Sequence, residues 1–246
     1  SAVYWFTQGM TVGNANGTAA GTALANAALV GRARAYLQKG TNASAAADAA
    51  AVPAGFVYNL AYQDDLSNRT RLGNRLWQFT FDRGSIAVAP AFQGGDPRVP
   101  YSTPAASPPP FDASLTSFMF AQQKYPSFAS SIRLASKIEA DYIAAEASAD
   151  PVAQLVLINR QRLANGRLAY AGAVDAASVM MELVNQRAFE FYLEGKRLGD
   201  LRRNPAATKY VPLTGSTDFK PGFPPIGNQT CYPIPKAERD NNPNMK

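Results

Sequence analysis

Residues 179–203 read VMMELVNQRAFEFYLEGKRLGDLRR and carry the tightest pattern in the chain. On a helical wheel Arg187, Glu190 and Glu194 fall on one side with Leu183 and Phe191, at spacings of i, i+3 and i+7. The opposite side is apolar as well, with Phe189, Tyr192 and Leu193. A helix that is apolar on both sides is buried between neighbours. Charged groups inside such a helix must pair, because an isolated buried charge is too costly. The pattern predicts a helix ended by Gly195, a second short helix over residues 196–203 with Asp200 between Arg197 and Arg202, and a stop at Pro205.

Paired carboxylates in a buried setting can serve as a general acid and base. They can equally be links in a structural ion network, which perturbs titration without doing chemistry. Basic groups stand among the acids here, and a neighbouring cation holds a carboxylate ionised, which is poor preparation for a proton donor. Arg187, Glu190, Glu194, Arg197 and Asp200 are therefore read as a structural ion network, with no catalytic residue among them.

The composition agrees with a folded chain that does no histidine chemistry. At 246 residues, 46% apolar and 17% charged, the chain can bury a sizeable core. Its net charge of +6 raises the question of nucleic acid, but the Lys and Arg residues are scattered and many sit beside acids, so no nucleic-acid partner is expected. The absence of histidine excludes Ser-His-Asp and Cys-His catalysis and imidazole-based zinc sites. The single cysteine, Cys231, makes no intramolecular disulfide. Asp64-Asp65-Leu66-Ser67-Asn68 has the oxygens of a calcium loop without the EF-hand pattern, and is read as a turn. No metal, cofactor or membrane span is expected.

Along the chain, residues 1–21 mix Tyr4, Trp5 and Phe6 with Gly, Asn and Thr, and read as a loop or short strand. Residues 22–39 predict a helix with Leu24, Ala28, Gly31 and Ala35 on one face and Leu29, Ala33, Tyr36 and Leu37 on the other. The face of small residues invites close approach by another helix. Residues 44–52 predict a second helix stopped by Pro53, which makes 22–53 a tetratricopeptide-like hairpin. Over 54–130 the helical period fades into a loop-rich insertion, with short strands expected at 54–62 and 76–81 and a Pro-rich loop at 103–111. Helices return at 131–147, with Glu139 and Glu146 together on one side, and at 152–164, where Asn159 and Arg162 are expected to bond nearby backbone. Residues 131–246 thus form a helical C-terminal part, closed by an extended tail around Pro233 and Pro235.

Several of these stretches resemble one family. RAFEFYLEGKRLGDLRR is similar to the C-terminal signature of the SusD/RagB family, with Arg187, Glu190, Glu194, Gly195, Arg197, Asp200, Leu201, Arg202 and Arg203 in the signature places. Leu198 stands where a bulky aromatic is common. Asp96-Pro97-Arg98-Val99, Arg133-Leu134-Ala135 followed by Glu146, Ile158-Asn159 with Arg162, and Tyr232-Pro233-Ile234-Pro235 with Glu238 and the Asn-rich ending follow in family order. The match runs from about residue 96 to 245, and the hairpin extends it to about residue 22.

The resemblance implies a mainly α, SusD-like fold over one region, 1–246, expected to be the C-terminal half of a longer protein. It also implies non-catalytic binding of an oligosaccharide or polysaccharide at the cell surface, for delivery to a TonB-dependent outer-membrane transporter. The full-length protein would be a lipoprotein anchored in the outer membrane, its signal peptide and lipid-bearing cysteine lying outside this sequence; Cys231 is not that cysteine. In the family, variable loops bind the ligand, with aromatics against sugar faces and polar groups on the hydroxyls. Flat rings suit the C–H face of a pyranose and lose little entropy on ordering. In this chain the resemblance points to Trp77, Tyr62 and Tyr101, with Asp96 and Arg98 as polar partners; Trp5 is a further aromatic of the same kind. The alternative reading, from the hairpin alone, is a tetratricopeptide-type scaffold for a peptide or protein. A helical glycosidase using Glu139 and Glu146 is a third, but both sit on one helix instead of facing each other across a cleft.

Overall fold

Small residues decide how the chain begins. The computed structural model describes residues 1–84, 86–103, 105–106, 111–112, 117–207, 209, 211, 214–215, 224–225, 227–228 and 234–243. The first element is α1 (Ala2–Ala15), capped by the Ser1 side chain, where the sequence led us to expect a loop or strand. Gly9, Gly13, Asn14 and Asn16 are weak helix formers, so local propensity argues against a helix there. Packing against α2 (Ala19–Lys39) overrides it. Gly13 meets Gly21 so closely that a Cβ on Gly21 would fall 2.5 Å from the Gly13 carbonyl oxygen.

Gly40 closes α2 in the left-handed region (φ 78°) and leads into α3 (Asn42–Ala51). Arg32 and Asp48 pair across this hairpin at 2.7 Å. Val30, Ala33, Leu37, Ala45, Ala49 and Val52 form its core with Ala140, Ile143 and Ala147 from α6 (Lys137–Ser148).

Before α6 the chain runs as a strand. β6 (Ile132–Ser136) pairs antiparallel with β1 (Val57–Leu60), and the register slips between Tyr58 and Asn59, leaving Leu134 without a partner across the ladder. The expected helix at 131–147 therefore begins only at Lys137. Ser136 caps it through a bond from the Glu139 amide at 3.3 Å, and β1 supplies the preceding residues with a ladder.

The insertion holds α4 (Arg69–Leu72), α5 (Arg75–Trp77) with a single π-helical turn at Gln78–Asp82, and a 3₁₀ turn at Pro90–Phe92. Its two strand pairs are β2 (Tyr101–Ser102) with β5 (Ala121–Gln122) and β3 (Phe111–Asp112) with β4 (Ser117–Phe118). The strand expected at 76–81 is helical, because the Asn74 side chain accepts from the amides of Leu76 and Trp77 and starts a helix there. Much of the Pro-rich loop, residues 104 and 107–110, lies outside the described residues.

α7 (Pro151–Ala164), α8 (Ala176–Glu190) and α9 (Arg197–Arg203) complete the body, with Tyr142, Leu157, Ile158, Val179, Leu183 and Phe191 as a second core. α8 ends at Glu190, not at Gly195. An Arg133 N–H takes the Glu190 carbonyl at 2.8 Å, the acceptor a continuing helix would offer to residue 194, and Glu194 donates instead to Phe191. Leu193 (φ 58°) and Gly195 (φ 72°) then turn the chain.

Residues 211–246 form a second compact unit. Its described part includes α10 (Lys236–Asn241), where an extended tail was expected. Pro235 stands just ahead of the helix, where proline's fixed φ and missing N–H cost nothing, and Lys, Ala, Glu and Arg then favour the helical form. Cys231, Tyr232, Pro233 and Asn244 lie outside the described residues. The fold is mainly α, with few strands among the described residues. Among the described residues no helix is long and apolar enough to cross a membrane.

Candidate functional site

The conspicuous chemistry is a layer of paired charges where β6, α6, α8 and α9 meet. Arg133, opposite Asn59 on the ladder, reaches Glu190 at 3.0 Å and Glu194 at 2.9 Å. Lys124 adds a second cation to Glu194 at 2.8 Å and donates to the Tyr192 carbonyl. Arg187 pairs with Asp200 at 2.8 Å, and Arg203 shares the same Asp200 oxygen while binding Glu146 at 2.8 Å. Glu139 lies between Arg34 (2.7 Å) and Lys196 (2.9 Å). The Phe191 ring has Arg133, Arg187 and Lys196 around it, 5.2–5.6 Å from its centroid, within the range of cation–π attraction.

The pairs in this layer run between elements instead of along one helix. Arg187 joins Asp200, not its helix neighbour Glu190, and Glu190 and Glu194 are both taken by Arg133 from the strand. Arg197 donates to the carbonyls of Val184 and Ala207. Asp200 takes Arg203, while Arg202 is exposed. A wheel treats residues 187–194 as one helix, and the turn after Glu190 breaks that geometry.

The electrostatics keep the acids ionised. Burial alone would raise the Glu139 pKa, but Arg34 and Lys196 outweigh it and hold the carboxyl below its ordinary range. Burial acts on Glu146 in the same way and is outweighed by the hydrogen bond from Arg203, the charges of Arg187 and Arg203, and Asn204. Two carboxylates held in this state have no proton to donate at neutral pH.

Two hollows with a common wall adjoin the layer. One of about 430 Å³ has Arg34, Glu139, Arg187, Lys196 and Asp200 in its walls along with Phe6 and Leu134. It shares Phe6, Gly31, Arg34, Leu60 and Leu134 with a larger apolar hollow of about 750 Å³ beside α1 and α2. Arg187 and Asp200 are paired with each other and exposed by only 3% and 1%, while Arg187 Nη1 and Asp200 Oδ2 have no hydrogen-bond partner among the described residues. A third, polar hollow of about 320 Å³ is walled by Arg98, Lys124, Tyr125, Arg133, Glu190 and Glu194.

The residues singled out for binding are scattered. Trp77 is half-buried, its ring 4.1 Å from Phe128 and 5.6 Å from Phe81. Tyr101 donates its hydroxyl to the Gln93 carbonyl at 2.6 Å and meets Phe120 edge-on. Tyr62 is half-buried in neither cluster. Asp96 accepts from the Arg98 amide (3.0 Å) and guanidinium (2.7 Å), and Arg98 also reaches Gln186 of α8 at 2.8 Å, which ties the insertion to the helical body. Among these five only Arg98 borders one of the three hollows. Trp5 on α1 is 70% exposed, its ring edge-on to Tyr4.

Outside the site, Asn159 accepts from the Tyr170 amide, and Arg162 donates to the Leu168 carbonyl and pairs with Glu182. Asp64 pairs with Arg69, and Asp65 accepts from the Ser67 amide and hydroxyl, so both carboxylates of the calcium-like stretch are engaged in a turn. The reading from sequence missed Lys124 and Tyr125, which come from a segment without periodicity. Nothing local marks them; only the pairing of β5 and the approach of Glu194 bring them to the hollow.

Comparison with known proteins agrees with this geometry. Residues 138–246 match the SusD family model. A solved SusD superfamily protein from Bacteroides vulgatus ATCC 8482 has a similar fold, with a TM-score of 0.52 and 18% identity over 89% of this chain and 61% of that one. This chain thus spans less than two thirds of that protein's length. No curated protein matches it. Residues 138–246 are thus similar to the SusD family, and most of the chain shares its fold with a solved SusD superfamily protein.

Proposed function

We propose that this protein is a non-catalytic binder that holds a glycan or other nutrient at the outer face of the outer membrane, lipid-anchored in its full-length form, for delivery to a TonB-dependent transporter. The match of residues 138–246 to the SusD family carries the reading. The state of the acids supports a binder over a hydrolase. Glu139 and Glu146 lie on one helix, and each is engaged by its own cations, whereas a glycosidase needs one carboxyl protonated across a cleft from the other. The aromatics of the insertion, Trp77, Tyr62 and Tyr101, with Asp96 and Arg98, are its candidate contacts, and exposed Trp5 is another.

Native affinity gels cast with soluble polysaccharides, run beside an assay for reducing ends, test the proposal. Retardation without sugar release is the expected result. Release of sugar would make the protein a hydrolase, and binding of peptides with no retardation in any polysaccharide would favour the tetratricopeptide-type scaffold.

A further inference from the structure

The polar hollow lies between the insertion and the end of α8, and two of its wall residues have something left over. Arg98 Nη1 and the Tyr125 hydroxyl have no hydrogen-bond partner among the described residues. Both side chains are more than nine-tenths buried, Arg98 at 7% exposure and Tyr125 at 3%. A buried donor without a partner costs about 1–3 kcal/mol, so native structures rarely leave two around one space. The rest of the wall is engaged: Lys124 and Arg133 on Glu194, Arg133 on Glu190 and Arg98 on Asp96.

Every cation of the wall has a carboxylate: Lys124 and Arg133 on Glu194, Arg133 on Glu190, and Arg98 on Asp96, which itself stands off the wall. Burial pushes the Tyr125 hydroxyl well above its ordinary pKa, so it stays a neutral donor. A charged occupant finds no unpaired counter-charge in this wall and would have to open one of these pairs. A neutral occupant with several hydroxyls would not, and it can accept from Arg98 and Tyr125 while donating to Glu190. The volume of about 320 Å³ is roughly that of ten water molecules and lies at the lower end of ligand pockets, about 300–1,000 Å³.

We propose that this hollow is a binding subsite for one uncharged, polyhydroxylated unit, a single sugar residue, seated between Arg98, Tyr125 and Glu190. The inference rests on the proposed function for the ligand's class and adds a location away from the aromatic clusters. The two wall residues settle onto the occupant and give it the hydrogen bonds they lack in the empty protein.

Two variants of the full chain test it. Tyr125→Phe removes one hydroxyl and keeps the ring. Ser131→Trp fills the rim of the hollow from an exposed position. Titration calorimetry with glucose, galactose, mannose and xylose, and affinity gels with the polysaccharide that retards the wild type, give the readouts. The expected result is saturable binding of at least one monosaccharide, weakened about tenfold or more by Tyr125→Phe and abolished by Ser131→Trp, with unchanged melting temperatures. Gel retardation unaffected by both variants would overturn the subsite while leaving glycan binding in place. Absence of monosaccharide binding by a wild type that is still retarded would overturn it as well. No retardation by any polysaccharide would remove the proposed function and the subsite together.

Discussion

The two ends of the helical body are held by opposite means. At α1 and α2 cohesion comes from what side chains lack: Gly13 and Gly21 let two backbones meet, and the gain is van der Waals contact over a close-packed face. Around α8 and α9 it comes from groups that are costly to bury, each offset by a partner on another element. The glycine contact tolerates nothing extra, and the charged layer tolerates nothing missing. Enlarging a side chain should therefore break the first, and truncating one should break the second.

The largest effect is expected from Arg187→Ala, which leaves Asp200 with Arg203 alone in a nearly closed space and empties the site of a buried guanidinium, and should destabilise by about 3 kcal/mol. Urea unfolding measures it, and Arg187→Ala combined with Asp200→Ala should recover part of the loss. A loss below about 1 kcal/mol would mean that the pair is solvated. At the other end, Gly21→Ala gains up to about 1 kcal/mol of helix propensity but forces two backbones apart, at a cost of about 1–3 kcal/mol. A net loss is expected, whereas Gly9→Ala, whose Cβ would lie 3.4 Å from that of Ala28, should be tolerated. Equal melting temperatures for the two variants would refute the close contact.

Acid should loosen the charged end first. The Asp96, Glu139 and Glu146 carboxyls titrate below their ordinary range in the folded protein. As pH falls through the ordinary carboxylate range, the unfolded chain takes up protons that the folded one refuses, so stability falls; it is fully present above that range. Hydrogen exchange at descending pH should show α6 losing protection before the contact between α1 and α2. The smallest effect is expected from Arg160→Ala, because the Arg160–Asp141 pair is largely exposed at Arg160 and such pairs contribute about 0–1 kcal/mol.

The same contrast explains what could be read in advance. The signature at 187–203 was legible because burying charges demands particular residues at particular spacings, and few sequences satisfy that by accident. The helix α1 was not, because glycine and asparagine report local flexibility, and only the opposing face of α2 turns that into a packing surface. The strand at 132–136 was hidden for a related reason: Leu134, Ile138, Tyr142 and Ala145 fit a helical period, and the cap at Ser136 that divides them is one side chain. The candidate binding residues were the least legible, since a Trp or Tyr in an irregular segment has the same letter whether it faces a phenylalanine or a ligand. Trp77 lies against Phe128, and Trp5 faces solvent.

Leu134, the residue without a rung on its ladder, offers its carbonyl to both Arg34 and Lys196, groups a hundred positions upstream and sixty-two downstream. Because strand neighbours alternate sides, a slip of one position would swing Arg133 away from its acids and withdraw that carbonyl from its two donors. The strand pair and the ionic clasp thus fix one another: a zipper closed one tooth out would leave its buttons undone.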